Sequence, residues 1–240
     1  MNNPATADLG ALLSSNAYPG RGIVIGTSAD GKKAMFAYFI MGRSENSRNR
    51  VFVEKKDELV IYPFDESKVT DPSLIIYSPV RRVWNQWVVT NGDQTDTVVD
   101  GLLAGKSFAI SLESRKFEPD APNYTPRISG LLDLESGYRY KLSILKCTDG
   151  KGGACGRYCF VYEPEAGIGH FIHTYAGDGQ PLPSFAGEPE RVSLPADIDA
   201  LADTLWSSLD PDNKVSLYVC AIDLETLEAE SRLFNKNKKA

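Results

Sequence analysis

The chain has 240 residues, 42% of them hydrophobic and 24% charged, with a formal net charge of -6. That length holds one large domain or two small ones, at the composition of an ordinary globular protein. The acidic balance argues against a basic face for nucleic acid or a membrane surface, yet leaves room for a local basic pocket that holds a small anion.

Met1 to Gly10 carries no basic residue and no signal-type apolar core, and no apolar run reaches the length of a membrane span, so the cytosol is the expected compartment. The first predicted element is a short helix, Leu9 to Ser14. The β-branched run Gly22 to Ser28 then reads as a strand, and Ala29-Asp30-Gly31-Lys32 as a hairpin turn into a second strand, Lys33 to Met41.

At the end of that apolar strand the chain changes character. Gly42 to Arg50 brings three arginines, two asparagines and two serines. Arginine forks and short amide or hydroxyl groups are what a site needs to hold phosphate or carboxylate, and a strand end presents them rigidly. The competing reading is a solvated hairpin.

Val51 to Val53 with Leu59 to Tyr62, and Leu74 to Val83 with Trp87 to Thr90, read as two further hairpins. A second polar segment, Thr90 to Asp96, sits between strand and helix. Asn91-Gly92 suits a tight turn, and Asp93 or Thr95 suits a helix cap. The functional reading is a strand-to-helix loop that faces a ligand. Asp93 to Ala104 is the expected helix, with Val98, Val99, Leu102 and Leu103 on one side and Gly105 as its stop. Lys106 to Ser114 is expected to continue as another.

The third polar segment, Glu118 to Gly130, contains three prolines that stiffen it. Such a loop places the acid Glu118, the phenol Tyr124 and the cation Arg127 at low entropic cost. Its structural alternative pairs Arg127 with Glu118 or Asp120. Later strands are expected at Ile128 to Leu134, Tyr138 to Lys146, Arg157 to Glu163, His170 to Tyr175 and Val215 to Asp223. A helix from Asp197 to Leu209 carries Ile198, Leu201, Leu205 and Trp206 at helical spacing. The basic tail Asn235 to Ala240 is expected to fray.

Many strands, few helices and no βαβ alternation mean an α+β fold, and no linker divides residues 1–240, so one domain is expected. Cys147, Cys155 and Cys159 with His170 and His173 lack the tight spacing of a zinc site, so no metal is expected. Cys147, Cys159 and Cys220 read as small core residues in strands, and the two histidines as strand residues with local partners. Asn123-Tyr124-Thr125 matches a glycosylation signal that a cytosolic chain does not use. Gly101 to Ser107 imitates a triphosphate-binding loop but is one residue short and follows a helix. Neither a dinucleotide fingerprint nor a nucleophile elbow occurs.

Four marks occur in order: Gly20-Arg21, Arg43-Ser44 with Asn49-Arg50, Asn91-Gly92-Asp93-Gln94-Thr95-Asp96, and Glu118 leading to Thr125-Pro126-Arg127-Ile128. Together they resemble the single-domain, archaeal-type inosine monophosphate (IMP) cyclohydrolases, from residue 18 to residue 135 or so. The resemblance implies a four-layer αββα sandwich similar to the N-terminal-nucleophile hydrolases, without their chemistry. It implies closure of the purine ring of 5-formamidoimidazole-4-carboxamide ribonucleotide to IMP and water, with no metal or organic cofactor. It assigns Arg50, Tyr77 and Glu118 to catalysis. Arg21, Arg43, Ser44, Asn91, Asp93, Asn123, Tyr124 and Arg127 become candidates for contacts to phosphate, ribose and base. The expected partner is a small purine nucleotide, with neither nucleic acid nor membrane, and a homo-oligomer stays open. Two other readings compete: a non-catalytic purine-nucleotide-binding protein, and an amidohydrolase of the N-terminal-nucleophile type.

Overall fold

The computed structural model describes residues 5–69 and 77–237. Its organising element is the hairpin of β1 (Arg21–Thr27) and β2 (Lys33–Met41), closed by a turn in which Gly31 takes a φ of 73°. Only glycine adopts that conformation without cost. Both strands are buried on both faces. Ile23, Ile25, Phe36, Tyr38 and Ile40 point into one core, and Val24, Met35, Ala37 and Phe39 into another. This is why the hairpin reads as an almost unbroken apolar run instead of an alternation.

Around the hairpin a six-stranded antiparallel sheet forms. β10 (Ile168–His173) and β11 (Glu190–Ser193) lie beyond β1, and β12 (Lys214–Asp223) and β13 (Ala229–Asn235) lie beyond β2. The second sheet is an antiparallel meander in chain order: β3 (Val51–Lys55), β4 (Glu58–Tyr62), β5 (Val80–Val83), β6 (Gln86–Thr90), β7 (Arg127–Asp133), β8 (Arg139–Cys147) and β9 (Cys155–Tyr162). The sheets face each other across a core that adds Phe52, Ile61, Val89, Ile128, Leu142 and Ile144 to the inward side of the hairpin.

Helices cover the outer faces. α1 (Leu9–Ser14) and α5 (Ile198–Ser208) bury Leu9, Leu13, Leu201 and Leu205 on the first sheet. α3 (Gln94–Leu103) and α4 (Phe108–Ser111) bury Val98, Val99, Leu102 and Phe108 on the second. The observed packing order is therefore helix, sheet, sheet, helix, within the α+β class. No described helix is long and apolar enough to cross a membrane.

Several expectations change. β11 and β13 are strands whose mixed polar sequences hid them. The second helix after Gly105 shrinks to four residues, started by Ser107, whose hydroxyl accepts from Ile110 N. Of the run Leu74 to Val83, only Val80 onward forms strand, while residues 70–76 lie outside the described residues. Cys220 is core, but Cys147 is half-buried and Cys159 is exposed on β9, because that strand ends its sheet. Among the described residues, no three of His, Cys, Asp and Glu gather as metal ligands. His170 Nδ1 meets the Tyr140 hydroxyl at 2.7 Å, and His173 Nδ1 meets the Tyr175 carbonyl at 2.7 Å.

Candidate active site

One end of the sandwich collects the polar segments. Arg21 opens β1 on the face that carries Ile23 and Ile25, so its side chain enters the space between the sheets. Gly20 before it has a φ of 79° and turns against Thr174 and Tyr175, where a β-carbon would overlap the Thr174 hydroxyl. Thr174 Oγ1 in turn accepts from Arg21 N at 3.1 Å. Gly20→Ala is expected to destabilise the fold by about 1–3 kcal/mol, read by urea denaturation, because it combines a left-handed backbone with that overlap.

Arg50 reaches the same space from the start of β3. The segment before it is not an open loop. Residues Glu45–Arg48 form a helical turn, α2, and Ser44 and Ser47 cap it reciprocally. Asn49 locks the exit: its amide donates to Asp65 O at 2.8 Å and its oxygen accepts from Asp65 N at 2.7 Å. Arg50 is buried, at 8% exposure, and burial, then neighbouring Arg21, holds its pKa below the ordinary arginine value. The Nε atoms of Arg21 and Arg50 are both buried with no hydrogen-bond partner among the described residues. Each guanidinium therefore keeps one donor unspent, and the lowering of Arg50 by Arg21 marks the two groups as neighbours.

Tyr77 and Glu118 are neighbours of both arginines and favour their charge. The Tyr77 hydroxyl donates to Asn91 O at 2.9 Å and lies 3.2 Å from the Tyr38 hydroxyl. Its single proton is committed to Asn91, so Tyr38 is the donor between the two phenols. Tyr38 is fully buried on β2 and stacked on Phe52 at 5.7 Å. Glu118 is carried by the proline-rich segment. Its backbone N donates to Thr125 O at 2.9 Å, while Asp120 accepts from Thr125 N at 2.6 Å. The Thr125 hydroxyl bonds both Asp120, at 2.5 Å, and the Tyr175 hydroxyl, at 2.6 Å. Burial raises the pKa of Glu118 above the ordinary glutamate range, against the pull of Arg21 and Arg127. Burial also opposes the charge on Arg21, but Glu118, then Tyr175 and Tyr77, more than offset it and raise its pKa.

The other candidate residues divide. Arg43 sits on the rim, paired with Asp178 and 5.0 Å above the ring of Tyr18, which stacks on Tyr175. Asn91 is buried and joins loop to strand: it donates to Pro126 O and accepts from Ile128 N, both at 2.9 Å. Arg127 pairs with Asp93 at 2.7 Å, not with Glu118 or Asp120, because β7 turns it toward α3. Asp93 also takes Arg115 at 2.5 Å, and its side chain makes no capping bond to α3. Ser44 is committed to the α2 cap, Asn123 Oδ1 accepts from Leu182 N at 3.0 Å, and the Tyr124 hydroxyl donates to Lys151 O at 3.1 Å. Arg48 is exposed, yet tied to Gly42 O at 2.8 Å.

Tyr38, Gln94, Thr125 and Tyr175 also belong here and escaped sequence reasoning as site residues. Gln94 is fully buried; it donates to Asn91 Oδ1 at 2.9 Å and accepts from Arg127 at 2.6 Å. Gln94 and Thr125 were visible inside the polar motifs. Tyr38 lies within β2 and Tyr175 just past β10, both among apolar neighbours that read as core.

The sequence model of the family described as IMP cyclohydrolase-like protein matches residues 18–226. The chain belongs to that family. Among its relatives, the IMP cyclohydrolase of Methanopyrus kandleri is 27% identical over 208 residues, covering 85% of this chain and 92% of the relative. That of Methanocaldococcus jannaschii is 28% identical, over 59% of this chain and 73% of the relative. That of Methanococcus aeolicus is 31% identical over 125 residues, which is half of this chain and 61% of the relative. The family match reaches past the four ordered motifs through β12, so it takes in every strand of the six-stranded sheet except β13.

Proposed function

We propose that this member of the IMP cyclohydrolase-like family closes the purine ring of 5-formamidoimidazole-4-carboxamide ribonucleotide, giving IMP and water. The observation that carries the chemical reading is the close grouping of Arg21, Arg50, Tyr77 and a Glu118 of raised pKa.

In the reaction the carboxamide nitrogen attacks the formyl carbon of the same molecule. A carbon–nitrogen bond forms, and the formyl oxygen leaves as water with one hydrogen from each of the two nitrogens. Both reacting groups sit on one substrate, so holding them in contact supplies much of the rate. Negative charge grows on the formyl oxygen during attack. Arg50, with its unspent Nε donor, is assigned to that oxygen. Glu118 is assigned to the carboxamide proton, since a carboxylate of raised pKa is a better base near neutrality than an ordinary one. Tyr77 is assigned to proton delivery onto the departing oxygen, its hydroxyl turning from Asn91 O to do so, and Tyr38 is the donor that can then replace the proton. Arg21 is assigned to the substrate's anionic part, with Arg43 on the rim.

Asn91, Asp93 and Arg127 are proposed to shape the flank of the site. Ser44, Asn123 and Tyr124 are proposed to support it from behind, since their hydrogen bonds run inside the protein. The packing order of helix, sheet, sheet and helix supports the likeness to the N-terminal-nucleophile hydrolase fold. The proposed ring closure uses no protein nucleophile.

The test is to add the formamido nucleotide to pure, folded protein and follow the ultraviolet change of purine formation. Saturable acceleration is expected. Tight binding of IMP without acceleration would establish a nucleotide-binding protein instead.

A further inference from the structure

The four edges of the two sheets are not treated alike. The free side of β11 is bridged by the segment before α1: Ala7 N donates to Arg191 O at 2.9 Å, and Ala7 O accepts from Ser193 N at 3.1 Å. The edges of β3 and β13 are stitched together. Asn235 Oδ1 accepts from Phe52 N at 2.8 Å, Asn235 Nδ2 donates to Phe52 O at 3.0 Å, and the Ser231 hydroxyl donates to Glu54 at 2.8 Å. The fourth edge is β9. It pairs with β8 on one side, and on the other its backbone has no backbone partner among the described residues.

An uncovered edge is a template for another strand, and proteins usually blunt it with proline, lysine or a bulge. β9 has none of these. Its middle, Tyr158-Cys159-Phe160-Val161, is uncharged, with Val161 60% and Tyr158 44% exposed. One charge, Arg157, stands near the start of the strand, and another, Glu163, follows its last residue, Tyr162. Arg157 and Glu163 are both exposed, and neither makes an ion pair among the described residues; Arg157 donates only to the carbonyls of Arg115, at 2.9 Å, and Cys155, at 3.5 Å.

We infer that β9 is a dimer interface, on which a second copy of this chain adds its own β9 antiparallel about a two-fold axis through Phe160. The spacing carries the inference. Arg157 and Glu163 lie equally far from Phe160 on either side, so in that register Arg157 faces the partner's Glu163, twice per dimer. Tyr158 faces the partner's Tyr162, and Cys159 the partner's Val161. A two-fold axis perpendicular to the sheet keeps each residue on its own face, and an interface of this type is self-complementary. The seven-stranded sheet then continues from one copy into the other.

Sedimentation equilibrium of the full chain tests this. A dimer is expected at micromolar concentration. Glu163→Lys sets like charges opposite each other at two symmetric places and is expected to raise the dimer dissociation constant about tenfold or more. The double reversal Arg157→Glu with Glu163→Lys is expected to restore it. Val161→Cys, with the native thiol of the partner's Cys159 opposite, is expected to give an oxidant-dependent covalent dimer, since paired strands bring Cα atoms to about 4.5–5.5 Å. A chain that stays monomeric, or a dimer indifferent to Glu163→Lys, overturns the inference. So does a double reversal that fails to recover the affinity lost in the single variant.

Discussion

Arg50→Lys is expected to fold normally and lose about 10²–10³-fold in kcat, with a much smaller change in KM, the size seen when one oxyanion donor is removed. The charge survives this substitution, so the loss isolates geometry. Arg50 is buried with an unspent Nε donor, and Arg21 and Glu118 are charged groups that act on it. A lysine ammonium is a compact point charge on a flexible stem and cannot reproduce the planar fork. Lysine is chosen over alanine because it still fills the buried channel. Steady-state kinetics with a circular-dichroism check of folding decides the matter. An unchanged kcat would move the oxyanion role away from Arg50.

Glu118→Gln is expected to cut kcat by about 10²-fold or more while making the protein more stable at neutral pH. The two effects share one cause. Burial raises the pKa of Glu118 in the folded state, so charging it there costs more than charging it in the unfolded chain. Between the ordinary glutamate range and the raised value, the folded protein binds more protons than the unfolded one. Its stability therefore falls as pH rises through that window, and the penalty is complete above it. Glutamine removes the penalty and keeps the shape. The variant's advantage in urea denaturation should grow as pH rises through that window and should vanish below the ordinary glutamate range. A less stable variant at neutral pH would mean that Glu118 acts mainly as counter-charge to Arg21.

The sequence made some of this plain and hid the rest for physical reasons. The hairpin of β1 and β2 was legible because both faces are apolar and its turn carries glycine where φ is positive. β11 was hidden because only Val192 of its four residues is buried, and β13 because none of its residues is. Arg21, Arg50, Tyr77 and Glu118 were named for the site, and they lie near enough to act on one another's charge. Ser44, Asn123 and Tyr124 were named for the same polarity, and their hydrogen bonds serve a helix cap and two loop contacts. Residue type alone cannot separate a group that faces a ligand from one that satisfies the backbone. Tyr38 was missed for the opposite reason. Within an apolar strand its ring is indistinguishable from core, and only the meeting with Tyr77 gives the hydroxyl a purpose.

The unspent donors of Arg21 and Arg50 have a consequence for the life of the protein between turnovers. Arg50 is the strained member of the pair, because burial and the neighbouring Arg21 charge both oppose its own charge, while Glu118 favours the charge on Arg21. An anion seated between them relieves that repulsion, and whatever binds only the folded chain pulls the folding equilibrium toward it. Resistance to heat and proteolysis should then rise and fall with the nucleotide supply, so that the protein is most durable when it has work to do.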